Sequence, residues 1–549
     1  MRHTLFTLLY IIGCSFAATA QDTLWLKPNN RYTVPKCVAI GDADSILFRN
    51  AQVRIYKDGD FQAQTYASLI PLSKNNADSI SSSAFTFEFP GRAIWKPSTS
   101  DNNYNNDYTN PESQWSFKNS KESEHFIVYW DKKFGSNPNA SSLPYYMRVD
   151  VDDLLQKAEQ FYATNVNKLG MAVLGEDQSR LDEYKMIIHL LYDEGWTAVG
   201  SGYDDMIGAL WVTPQTCHPV GSTIAHETGH CFQYMVATDY RKNGVSAYTQ
   251  RGWRYGYGTN GSGGNAFWEQ CAQWQSFQDY PSEVFGYHVD VFKANYHRHF
   301  CHEWMRYASY WLQYLWTEKH GDKAYGRIWR ESRYPEDPLE TYTRVFCDNS
   351  LDSMWTVYFD YATRLPNYQF AAIHQYLGTQ YSMRNFSTKM FKNDDDSYQV
   401  AYASCPETSG INIIPMRGFT AGTEVTADFT GLNPGSALHS SDPGHAFLED
   451  GGGQFEAVTT YNSAGKAENK GWRYGFVAVA NDKTYVSEMQ SAPEGRATFT
   501  IPANTLRLSF VVIGAPSKYN RHAWDETDRN DEQWPYKVKF TGCIPNNIN

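Results

Sequence analysis

The spacing of apolar residues changes twice along the chain, near residue 124 and again near residue 396, and no single layered architecture accommodates all three patterns. Before the first change, residues 22–97 carry short alternating runs such as SILFRNAQVRIY and SAFTFEFPGRAIW, which read as strands of a small N-terminal β region. Residues 98–123 are dense in Asn, Ser and Asp and almost free of aliphatic side chains, so they read as a polar linker or long surface loop. HFIVYW then reads as a strand, and residues 148–170 as a long amphipathic helix ending at Gly170. YKMIIHLLY and IGALWVT are strand-like, and residues 265–330 turn mostly helical and aromatic. From residue 396 onward, short strands separated by Gly and Pro predict a C-terminal β-sandwich able to fold by itself. The expected fold class is multidomain α+β, with an α/β domain over 124–395 between an N-terminal β region (21–97) and a sandwich over 396–549. At 549 residues, two or three domains are expected in any case. GWRYG occurs at 252–256 and at 471–475, but the flanks do not match and it marks no repeat.

The first twenty residues combine a cationic start, an apolar run from Leu5 to Ile12 and small residues up to Ala20. They read as a secretory signal peptide cleaved after Ala20, with lipidation of Cys14 as the minority alternative. No other apolar run approaches the roughly 20 residues of a membrane-spanning helix. The expected location is therefore secreted, periplasmic or at the cell surface. A net charge of -12 without Lys/Arg blocks argues against nucleic acid and anionic membranes. Aromatics reach 16%, which suits large cores and surfaces that stack on sugars about equally well. Eight cysteines follow the signal segment, scattered and without a CxxC pair, and read as lone buried thiols.

Chemistry concentrates in STIAHETGHCFQYM, residues 222–235. Ser222 is a suitable N-cap, and the apolar spacing behind it is helical. On a helix, His226 and His230 share one face and both reach a single tetrahedral ion, while Glu227 lies about a third of a turn away, where it can touch a metal-held water as general base. In the H-E-x-x-H-x-x-G-x-x-H pattern the third histidine would stand at Val236 and the glycine at Gln233, so that ligand source is excluded. Glu269 is the better third ligand. It projects from a second helix that Asn265 can cap, between Trp268 and Cys271-Ala272, and a buried carboxylate there wants a cation. The rival ligands are His297, His299 and His302. A tetrahedral intermediate also needs a donor, for which His299, His302, Tyr307 and Tyr310 are open choices. Residues 241–265, rich in Gly and aromatics, could form a lid, and IGALWVT could be the cleft-edge strand on which an extended substrate pairs.

The set His226, His230 and Glu269 with Glu227 as base resembles the gluzincin-type HExxH zinc metallopeptidases, and the run HExGHxxQ looks like their enhancin-like, mucin-directed branch. Glu269 lies farther from His230 than is usual in that branch. The resemblance implies a zincin-like catalytic domain, Zn2+ as cofactor and a protein or glycoprotein substrate, with glycan contact through aromatic surfaces. The overall layout is similar to an uncharacterised exported family frequent in Bacteroidota, a domain of unknown function that implies no activity. Two other readings stay open: a glycan-binding surface protein whose HExxH helix is structural, and a zinc hydrolase of a non-peptide bond.

Overall fold

A computed structural model describes residues 92–98, 106–244, 252–253, 264–447, 455–523 and 527–546, together with seven strands before residue 90. The signal segment, Cys14 and most of the 241–265 lid candidate lie outside the described residues. The first seven strands are β1 (Thr23–Pro28), β2 (Lys36–Ala39), β3 (Ser45–Arg49), β4 (Gln52–Lys57), β5 (Asp60–Tyr66), β6 (Ser68–Leu69) and β7 (Thr86–Phe89). They form two sheets ordered β2-β1-β7-β6 and β3-β4-β5.

Six strands build the sheet beneath the candidate site: β8 (Ala93–Ile94), β9 (Ser120–Glu122), β10 (Phe126–Trp130), β11 (Tyr184–Leu190), β12 (Ala198–Tyr203) and β13 (Ile207–Val212). Their order is β12-β13-β11-β10-β9, with β8 added beside β11. The three inner strands β10, β11 and β13 are parallel, and β12 and β9 run antiparallel at the two edges. Parallel strands are covered on both faces, which is why β10 is a run of five buried residues, FIVYW. Two boundaries differ from the sequence reading. β8, from the stretch read as N-terminal β region, and β9, from the stretch read as linker, both belong to this sheet. An edge strand of sequence SKE, with one side facing water, has no apolar alternation to reveal it. The polar stretch before it is also docked, since the Asn106 side chain hydrogen-bonds both main-chain groups of the buried Trp115.

Helix α1 (Val151–Ala163) starts at Asp150, whose carboxylate accepts from the Asp152 and Asp153 amides, and buries Leu154, Leu155, Ala158 and Phe161 on the sheet side. It runs on into one π-type turn, Thr164–Lys168. Helix α2 (Ser222–Lys242) is buried on all sides from Ile224 to Thr238, because it lies between the sheet and the next helix. Ser222 is not its cap. Gly221 holds the non-helical cap position without a side-chain bond, and Ser222 is already in the first turn, facing the cleft. The helical half follows with α3 (Gly264–Ser276), α4 (His288–Asn295), α5 (Leu312–His320), α6 (Lys323–Glu331), α7 (Pro338–Phe346) and α8 (Leu351–Arg364). Because α3 begins at Gly264, Asn265 lies inside its first turn and not at the cap. No helix among the described residues is long and apolar enough to cross a membrane.

The C-terminal strands are β14 (Met390–Lys392), β15 (Tyr398–Val400), β16 (Ile411–Arg417), β17 (Glu424–Gly431), β18 (His445–Phe447), β19 (Phe455–Ala457), β20 (Trp472–Ala480), β21 (Lys483–Val486), β22 (Glu494–Thr500), β23 (Thr505–Gly514), β24 (Tyr536–Thr541) and β25 (Ile544–Pro545). Two five-stranded sheets, β14-β15-β24-β17-β22 and β21-β20-β23-β16-β25, face each other across an aromatic core in which Phe429 stacks on Tyr474 at 4.1 Å. The first strand begins at Met390, ahead of the boundary read at 396. Strand alternation sends the other face of β16, β20 and β23 elsewhere: Ile411, Ile413, Val477, Val511 and Ile513 join the large core of the helical half, against α8. Arg473 on that face pairs with Asp352 of α8, and the Trp355 indole donates to the Pro516 carbonyl at 3.0 Å.

Candidate metal centre

The helical spacing of His226 and His230 places both rings on the cleft side of α2, their centroids 4.6 Å apart. Across from them α3 presents Glu269, and its Oε2 stands 3.1 Å from each Nε2. All three side chains are buried, and their donor atoms lie within 4.8 Å of one another. Of the three rival ligands, none lines this cleft.

The opposite ring nitrogens are held as carefully. His226 Nδ1 meets Gln273 Oε1 at 3.1 Å, and His230 Nδ1 meets Gln233 Oε1 at 3.0 Å. An amide oxygen can only accept, so each Nδ1 carries the proton and each Nε2 keeps a lone pair directed at the centre. For His230 the orientation is anchored through a relay. Gln233 Nε2 donates to Gln275 Oε1 at 2.8 Å, Gln275 Nε2 donates to Asn165 Oδ1, and Asn165 Nδ2 donates to the Phe161 carbonyl at 2.9 Å. A main-chain carbonyl is an unambiguous acceptor, and it sets the direction of every bond back to the ring. The relay needs α2 and α3 in close contact. A side chain at Gly229 would press on Gln275, and one at Gly200 of β12 would collide with the Glu227 carbonyl and lie 2.7 Å from His230 Cβ.

Two lone pairs facing one carboxylate repel unless a cation joins them. Burial disfavours charge on His230, but the Glu269 carboxylate outweighs it and holds the imidazole above its ordinary range. Burial acts on Glu269 in the opposite direction, and the adjacent His230 and His226 overcome it, holding the carboxyl well below the usual range. Two imidazoles and a carboxylate with matched tautomers fit a divalent metal of the zinc class.

The three side chains open onto a cleft of about 800 Å³. Glu227, Trp268, Gln273, His288 and Tyr307 line it, together with β12 residues Ala198 to Ser201. Trp268 stacks on His230 at 5.1 Å, and Tyr307 stacks on His226 at 6.2 Å and on His288 at 5.9 Å. The chain matches a family of unknown function, DUF6055, over residues 87–547. It belongs to that family. The match takes in the cleft and both C-terminal sheets, so the DUF6055 unit includes the two together. No curated protein matches the chain.

Several sequence expectations need correction within this DUF6055 site. The cleft-edge strand is β12, not the β13 of IGALWVT, which is covered by β12 on one side and β11 on the other. The sequence AVGSGY, with two glycines, gave β12 little strand signal. Among the four donors considered for an oxyanion, only Tyr307 lines the cleft. The Tyr310 hydroxyl is spent on the Val284 carbonyl at 2.7 Å, while His299 and His302 both stack on His522. Gln273, Gln275 and Asn165 carried no signal at all, since an amide in a helix has no distinctive spacing. Of the lid candidate, residues 241–242 end α2 and 264–265 open α3, and between them, among the described residues, Gly252 and Trp253 are buried.

Proposed function

We propose that this DUF6055 protein is an exported zinc-dependent endopeptidase of gluzincin type, with His226, His230 and Glu269 holding the metal and Glu227 acting as general base. The convergence of two Nε2 lone pairs on the Glu269 carboxylate at 3.1 Å carries this reading. Bound zinc would supply Lewis acidity, polarising a substrate carbonyl and lowering the pKa of a water towards 7. Glu227, beside the ligands in the same cleft, takes the proton from the attacking water and passes it to the leaving amine. Tyr307, which lines the same cleft, would donate to the developing oxyanion. An extended peptide would pair with the outer edge of β12, and its side chains would meet Trp196, which is 62% exposed. A glycoprotein substrate suits the aromatic lining, which can stack on sugar faces.

The test is product analysis by mass spectrometry on casein, mucin and a polysaccharide. New peptide termini that vanish with chelator and return with zinc are expected. Depolymerised polysaccharide without peptide products would overturn the peptidase reading in favour of another hydrolase, and no product from any substrate by the zinc-loaded protein would favour a binding protein.

A further inference from the structure

The amide relay behind His230 has a second arm, which comes from the helical half. Tyr325 of α6 is 1% exposed, and its hydroxyl donates to Gln275 Oε1 at 3.0 Å. The same oxygen accepts from Gln233 Nε2 at 2.8 Å, and Gln275 Nε2 donates to Asn165 Oδ1. Both ends of the Gln275 amide are thus held. It cannot turn over without setting its nitrogen against that of Gln233 and its oxygen against that of Asn165.

The two arms start from one junction. Asn165 lies in the π-type turn, and α6 docks on the main chain that leaves this turn, at Leu169 and Gly170. Gly326, the neighbour of Tyr325, donates its amide to the Leu169 carbonyl at 3.0 Å, and Arg330 Nε donates to the Gly170 carbonyl at 2.9 Å. A Cβ at Gly326 would stand 2.2 Å from the Gly170 oxygen, so only glycine lets the helix approach this closely. On its other side the Tyr325 ring packs against Trp274 of α3 at 4.4 Å, one residue before Gln275. His226 is held separately, its Nδ1 meeting Gln273 Oε1 at 3.1 Å.

We propose that Tyr325 is a positioning residue for His230: through Gln275 and Gln233 its hydroxyl keeps the proton on Nδ1 and the Nε2 lone pair aimed at Glu269, so that α6 controls a side chain of α2. The purpose of this control rests on the metal-centre reading. Tyr325 does not line the cleft, so it acts only through the relay. Once Gln275 is loosened, Gln233 is free to turn its nitrogen towards His230 Nδ1. A donor there moves the imidazole proton to Nε2 and removes the lone pair from the centre. The arm on His226 is untouched, which separates positioning from a general loosening of the fold.

Full-length Tyr325→Phe removes the hydroxyl and keeps the ring against Trp274. In chelator-stripped protein carrying isotope-labelled histidine, the Nδ1–H resonance of His230 should shift or broaden while that of His226 stays in place, the two being assigned with His226→Gln and His230→Gln. Co2+ titrated into the same stripped protein, read by visible absorption and equilibrium dialysis, should bind about 10-fold more weakly than to the unsubstituted chain. A folded Tyr325→Phe protein with an unmoved His230 resonance or unchanged Co2+ affinity overturns the proposal. Equal movement of both resonances overturns it too and assigns the hydroxyl to general packing. If Tyr325→Phe does not fold, Gln275→Met takes its place, and a His230 resonance that stays put there leaves Tyr325 nothing to act through. The resonances need no metal, so a His230-selective change in a chain that binds no Co2+ refutes the metal centre and leaves the Tyr325 link standing.

Discussion

Glu227 and Glu269 are both buried carboxylates lining one cleft, and the proposed function gives them different work. Glu269 lies against both imidazoles and is held ionised by them. Glu269→Gln replaces the charged ligand with a neutral amide, so zinc affinity should fall steeply and activity with it. Glu227→Gln should leave zinc in the cleft near full occupancy while turnover falls by at least about 10²-fold, the usual contribution of a general base. Metal content and turnover measured on the same preparations decide it. A Glu227→Gln enzyme with native turnover would remove the HExxH helix from the chemistry. These residues were legible in the sequence because the signal is local. A helix sets the distance between His226 and His230, and Glu269 stood out as a carboxylate among apolar neighbours. Gln273 and Gln233 were not legible as orienting groups, because only packing decides which ring nitrogen they meet.

At the scale of elements, the relay from α1 through α3 to α2 makes a prediction about a residue far from the ligands. Asn165 sits in the π-type turn, and Asn165→Leu leaves the buried Gln275 donor without its partner. A buried unpaired donor costs about 1–3 kcal/mol, and the amide chain loses its fixed direction. Zinc affinity should drop about 10-fold or more while helix content by circular dichroism stays unchanged. Unaltered affinity would mean that Gln233 orients His230 without help. A second link ties α1 to the start of β10. Glu159 accepts from the Ser123 hydroxyl at 2.5 Å, the His125 amide at 2.8 Å and His125 Nδ1 at 2.6 Å. Burial pushes the Glu159 carboxyl up, but these bonds win and hold it below its ordinary value. An acid with a depressed folded-state pKa stabilises the fold above its unfolded pKa of about 4.3, and that contribution disappears as pH falls through the folded value. Glu159→Gln should therefore cost about 1–2 kcal/mol at pH 7, and urea melts should show the gap to the native protein closing below about pH 4. A gap independent of pH would assign the loss to packing.

For the whole molecule, the shared core matters most. Ile411, Ile413, Val477, Val511 and Ile513 face the helical half, and each is worth about 1.5–3 kcal/mol when buried. A fragment spanning 386–549 uncovers all five at once. It should bind a hydrophobic dye and self-associate, where the full chain does neither. A monomeric, dye-silent fragment with a cooperative melt would show that the sheets fold without that cover, as strand spacing alone suggests. Sequence reading assigned the region to β structure correctly but could not see that one of its sheets is buried on both faces. Alternation tells inside from outside only when one side is water.

Local spacing thus determined the inner strands, the two helices that line the cleft and the pairing of His226 with His230, because each depends on residues within a turn or two of one another. Tertiary structure alone decided that β12 and not β13 edges the cleft, that Asn165 orients His230 through two glutamines, and that His522 meets His302 and Glu303 where the helical half joins the C-terminal sheets. The links from Asn165 to Gln275 and from Glu303 to His522 join residues more than a hundred positions apart, and their positions follow from how the layers pack, which no periodicity of a single segment records.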